Sequence, residues 1–157
     1  MSTHKPAVDC VQVAVLTRTS YPEPYASRVT PREKRRLGDA FGLTRIGINR
    51  TTLFAGKESS MRHWHTAEDE FIYILEGEVL LRTGSGEQLL TAGMCVGFPA
   101  GIGDGHQLIN RSARPAVYLE ISNRDAADVV HYSDADVDMV ATSAGITRHD
   151  GTPFTST

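Results

Sequence analysis

The chain has 157 residues, 40% of them hydrophobic, and a formal net charge of -3 with acidic and basic side chains scattered along its length. That size suits one domain with its own core, and the charge offers no polycationic face, so no nucleic acid and no membrane surface is expected as a partner. No apolar run nears the roughly 20 residues that span a bilayer, the start MSTHKPAVDC lacks a leader's apolar stretch, and Cys10 and Cys95 form no CxxC pair; the expectation is a cytoplasmic protein with reduced thiols.

Residues 1–42 read as an N-terminal arm. One strand is predicted within 11–16, followed by the proline-rich Tyr21-Pro22-Glu23-Pro24-Tyr25 and a charged run in which Arg32, Arg35 and Arg36 are read as solvated. A short helical turn is predicted at 33–39. Residues 43–124 read as an all-β barrel: strands are predicted at 44–48, 51–54, 60–65, 70–75, 78–83, 87–90, 95–98, 107–110 and 116–122, parted by glycine, proline and Asn/Asp punctuation. Glu76-Gly77-Glu78 and the segment around Gly84 and Gly86 are predicted turns between strands. Residues 125–157 read as a C-terminal arm, with a helical turn at 124–128, edge strands at 129–132 and 137–141, and a polar tail. Such arms pack on the barrel or on a partner, because an unpaired sheet edge is relieved by pairing.

The chemistry concentrates in His63-Trp64-His65, followed by Glu68, Asp69 and Glu70. Alternate side chains of a strand share a face, so His63 and His65 point one way and Trp64 the other. Glu70 then opens a strand whose Ile72 and Ile74 continue the inward face, whereas Tyr73 has outward parity. Two imidazoles and a carboxylate suit one divalent transition metal, with Fe, Mn, Ni, Zn and Cu all admissible, and leave coordination positions open. Glu68 and Asp69 are left as turn residues, or one of them orients a ligand. Downstream, the glycine and proline residues between Gly93 and Gly105 form a sharp turn that delivers His106 as a fourth ligand, with Asn110 inside or capping the barrel end. Cys95 is expected as a buried small hydrophobe, and Asp104 as an exposed turn residue.

These two blocks resemble the paired motifs of the cupin superfamily. Gly56, His63, His65, Glu70 and Gly77 fit the first; Gly93, Pro99, Gly101, His106 and Asn110 fit the second, with two extra residues before the histidine. The resemblance implies a double-stranded β-helix, jelly-roll-like barrel and a homodimer. Segments at 106–110, 118–124 and 148–153 are similar to small bacterial sugar-phosphate isomerase-like cupins. A metal-dependent enzyme of isomerase or dioxygenase type, acting on a small oxygenated organic substrate, is therefore expected. The alternative is a non-catalytic small-molecule binding or sensor barrel, which would place no candidate base besides the four ligands near the open coordination site. Because Ile72, Ile74 and Leu108 are apolar, no arginine or lysine is expected within reach of the metal-site cavity. A phosphate would then need Arg45, Arg50, Lys57 or Arg82, and two cations converging on the cavity would restore the phosphosugar reading.

Overall fold

The computed structural model describes residues 7–154. In chain order its strands are β1 (Val15–Leu16), β2 (Arg32–Arg36), β3 (Ile46–Leu53), β4 (His63–His65), β5 (Glu70–Glu76), β6 (Glu78–Thr83) and β7 (Gly86–Thr91). The chain continues with β8 (Cys95–Phe98), β9 (Gln107–Ile109), β10 (Ala116–Asn123), β11 (Val130–Tyr132), β12 (Val140–Thr142) and β13 (Gly145–Thr147). Two one-turn helices, α1 (Ala26–Val29) and α2 (Leu37–Ala40), flank β2. No helix of the described residues is long and apolar enough to cross a membrane.

All pairings between these strands are antiparallel, giving an all-β barrel. A six-stranded sheet runs β1-β2-β3-β10-β5-β8, a four-stranded sheet β13-β12-β11-β4 and a three-stranded sheet β7-β6-β9. Period-two patterning decides what goes inside. On β5, Ile72 and Ile74 are buried while Phe71, Tyr73 and Leu75 are exposed. The inward residues join Leu53, Val79, Leu81, Leu90, Leu108 and Tyr118 in the barrel core. A second core joins both ends of the chain: Tyr25 and Val29 pack with Met61, Val137 and Met139.

The flanks depart from the sequence reading. Within 11–16 only β1 is a strand, because the Asp9 carboxylate accepts from Val11 N and caps a 3-10 turn at Cys10–Gln12. The helical turn expected at 33–39 is mostly β2, which pairs with β3 from Arg32↔Leu53 to Arg36↔Asn49. Sheet pairing thus overrides the local clustering of charge. The two strands expected at 44–48 and 51–54 are one, since Asn49 and Arg50 pair with neighbours on both sides. At 124–128 the chain makes a turn, closed by Asp128 N donating to Asp125 O. Cys95 is exposed, as is the outward Tyr73 opposite it, while Val96 and Phe98 pack against the core.

Candidate metal centre

β4 is held between β11 and an isolated antiparallel bridge that sets His63 directly against His106. His106 N donates to His63 O at 2.8 Å and His63 N to His106 O at 3.1 Å. The lengthened turn before His106 is tied back where Gly101 N donates to His65 O. Gly105 must be glycine there: a Cβ would come within 3.0 Å of Ser133 Cβ and 3.2 Å of His63 N. Local geometry alone therefore aims His63, His65 and His106 at one point.

That point is a Glu70 carboxylate oxygen. Glu70 Oε2 lies 2.7 Å from His106 Nε2, 3.4 Å from His65 Nε2 and 3.5 Å from His63 Nε2. Two of the outer ring nitrogens are committed as donors, while the buried His106 Nδ1 has no partner. His63 Nδ1 donates to Met61 O at 2.9 Å, and His65 Nδ1 donates to Asp128 Oδ2 at 2.6 Å. Asp128 is itself fixed by the backbone N–H groups of Ala67 and Glu68. Two imidazoles therefore present Nε2 to a carboxylate, an arrangement that needs a positive charge, either protons or a metal ion, between them. Burial opposes charge on both partners, yet hydrogen bonds from His106, His63 and His65 hold the Glu70 carboxyl well below the usual range. Burial alone would lower His65, but Glu70 and Asp128 push its pKa up to about 9. His106 is lowered by burial and by its histidine neighbours despite Glu70. His63, Glu70 and His106 offer ligand atoms that all lie within 4.8 Å of one another, while His65 approaches this trio only through Glu70, at 3.4 Å; imidazole nitrogens with a carboxylate oxygen suit a divalent transition ion.

The other residues singled out in the sequence take supporting places. Glu68 Oε1 accepts from Asp125 N, and Asp69 Oδ1 accepts from Ala100 N, so both brace turns. His65, Glu68 and Asp128 form a second group close enough to hold an ion, in which His65 Nδ1 donates to Asp128 Oδ2. Asp104 accepts from Gly84 N. Trp64 stacks on His131, and Asn110 is fully buried, donating to Leu53 O and Arg114 O across the barrel end.

The quartet opens on a cavity of about 600 Å³, inside the about 300–1,000 Å³ range of small-molecule sites. Ile72 and Leu108 line it, as expected from their parity, but so do Arg32 and Lys34. This overturns the expectation of a cation-free lining. The four basic residues offered instead do not line it; Arg50 pairs with Glu76, Arg82 with Asp134, and Lys57 donates to Ser27 O. Arg32 and Lys34 share the face of β2 that turns towards the cavity, a parity hidden by reading the run as solvated. Glu120 also lines the cavity, accepting from Lys34 Nζ and from Asn49 Nδ2 at 3.0 Å. Tyr21, Tyr118 and Tyr132 complete the polar wall, and burial raises the pKa of each phenol.

Fold and site together define a small β-barrel with a cavity built around three histidines and a glutamate. The Cupin domain profile matches residues 50–122. The chain is similar to a structure named as a sugar phosphate isomerase from a cupin superfamily of Silicibacter pomeroyi, with 36% identity, TM-score 0.87, and 96% of this chain and 98% of that one covered. A candidate sugar phosphate isomerase from Acidithiobacillus ferrooxidans is 31% identical over 74% of each chain, with TM-score 0.67. The polyketide cyclase RemF of Streptomyces resistomycificus, 17% identical over 76% of this chain and 79% of that one, shares the fold at TM-score 0.61. No curated protein matches the chain. The chain belongs to the cupin superfamily.

Proposed function

We propose that this cupin is a metal-dependent isomerase of a phosphorylated sugar, with one divalent ion held by His63, His65, Glu70 and His106. The observation that carries the reading is a single cavity lined by that quartet, by the cations Arg32 and Lys34, and by the carboxylate of Glu120. The names of the similar Silicibacter and Acidithiobacillus proteins point the same way.

His63, His65, Glu70 and His106 would hold a divalent ion, which would supply Lewis acidity to a carbonyl and its neighbouring hydroxyl. The chain's own residues do the rest. Glu120 is the general base: it takes the proton from the carbon beside the carbonyl and returns it to the former carbonyl carbon. The hydroxyl proton is exchanged between the two oxygens, so the enediol collapses to the isomeric carbonyl without gain or loss of atoms. Glu120 faces inward on β10, one inward position from Ser122, which pairs with Glu70. Asn49 and Lys34 orient its carboxylate. Tyr21 and Tyr132 bring phenol O–H groups to the cavity wall, where they can donate to substrate hydroxyls. A base in the cavity favours an enzyme over a sensor barrel.

The test couples metal content with proton exchange. Protein purified without added metal should contain close to one equivalent of a transition ion, lost in His63→Ala. In D₂O the wild type should wash deuterium into a sugar phosphate beside its carbonyl, seen by NMR. Glu120→Gln should keep the ion and lose at least about 100-fold in exchange rate. An ion retained in His63→Ala, or exchange undiminished in Glu120→Gln, would overturn the assignment.

A further inference from the structure

Alternation along β2 sends Arg32, Lys34 and Arg36 to one face, and the segment after β1 lays Arg18, Thr19 and Ser20 against it. With Leu16, these six residues line a second cavity of about 490 Å³, to which the described residues contribute no carboxylate. Ser20, Arg32 and Lys34 line this outer cavity and the metal-site cavity alike, so they form the boundary between the two.

The charges on that boundary are unequally matched. Lys34 is paired with Glu120, and Arg36 lies 3.6 Å from Asp39. Among the described residues, neither Arg18 nor Arg32 has a carboxylate within 4.0 Å. Arg32 donates through Nη1 to Ser59 O at 2.9 Å, while its buried Nε has no partner. A buried N–H without an acceptor is a standing cost that a bound anion removes. Two unmatched positive charges correspond to the charge of one phosphate dianion. On the inner side, Lys34 and Glu120 neutralise each other, and the Glu70 carboxylate faces the same space.

We infer that the outer cavity is the phosphate subsite, with Arg18 and Arg32 as its principal cations and the Thr19 and Ser20 hydroxyls as further donors. Which end of the substrate meets the quartet rests on the isomerase reading: the carbonyl end reaches inward past Ser20, Arg32 and Lys34, and the phosphate stays outside. Arg18 is then a specificity-determining residue that selects phosphorylated over free sugars while remaining remote from the metal ligands. A guanidinium suits the task because it pairs with phosphate oxygens through two parallel N–H donors.

Calorimetric titration with inorganic phosphate tests this on the full chain, with three variants for comparison. Wild type and metal-free His63→Ala should bind phosphate equally, since the subsite needs no metal. Arg18→Gln changes an exposed side chain and should weaken binding at least tenfold with metal content and melting temperature unchanged. Arg36→Gln, already matched by Asp39, should weaken it less. Phosphate binding abolished by His63→Ala would locate the ion on the metal and overturn the subsite, as would binding indifferent to Arg18→Gln. Arg18-dependent binding by a wild type that carries no metal as purified would uphold the subsite and reject the isomerase reading.

Discussion

His65 is the residue on which the centre's pH behaviour turns. Its Nδ1–H is held by Asp128 and its Nε2 faces Glu70, so the two carboxylates outweigh burial and raise its pKa to about 9 from 6.5. In the metal-free protein this raised value means a stabilising contribution that is complete below pH 6.5 and lost as pH climbs through about 9. An ion must displace the same proton, so metal affinity should fall as pH drops below about 9, by up to tenfold per unit for one proton released. Asp128→Asn removes both the orienting bond and part of the pKa rise. Its affinity for Zn²⁺ should be about 10–100-fold weaker at pH 8, yet decline less steeply towards pH 6. Competition with a chromophoric chelator across that range measures both effects, and parallel profiles for the two proteins would refute the role given to Asp128. That His63, His65 and Glu70 turn to one side was legible in the sequence, because strand parity and spacing are local properties. Asp128 was not, because it reaches His65 from 63 positions away and no short-range pattern marks such a contact.

At the scale of elements, the barrel strands were legible wherever apolar and polar residues alternate between clear turn signals. β6 and β8 coincide with the expected 78–83 and 95–98. β2 was illegible for a reason that matters to function: its outward and inward positions are both charged, so no hydrophobic period betrays the strand, and only pairing with β3 reveals which side faces the cavity. Turns with special backbone geometry were easier to foresee. Gly77 joins β5 to β6 at φ 74°, and an added Cβ would lie 3.0 Å from Pro115 O and 3.1 Å from Ala116 Cα. A left-handed conformation costs an L-residue about 1–2 kcal/mol before any clash. Gly77→Ala should therefore destabilise the fold by about 2 kcal/mol or more, read as a lower urea midpoint with an unchanged slope. A midpoint equal to the wild type's would mean that the turn relaxes without strain.

Across the whole molecule, the proposed ligands belong to all three sheets. His63 and His65 sit on β4 of the four-stranded sheet, Glu70 on β5 of the six-stranded sheet, and His106 immediately before β9 of the three-stranded sheet. An ion among them would join elements that otherwise meet through side-chain packing and the His63–His106 backbone bridge. Unfolding scatters the four donors, so the ion binds the folded chain far better than the unfolded one, and its binding free energy adds to stability. At a free concentration of about 1,000 times Kd the gain is about 4 kcal/mol. With about 2–4 °C of Tm per kcal/mol for a chain of this size, that corresponds to roughly 8–16 °C. Dialysis against a strong chelator should lower Tm by an amount in that range, and restoring the metal should recover it. His63→Ala should melt near the chelated wild type and respond to neither treatment, whereas Arg18→Gln, remote from the quartet, should respond as the wild type does. A Tm that chelation leaves unmoved would deny the quartet a resident ion, and the three sheets would then be held by packing and hydrogen bonds alone.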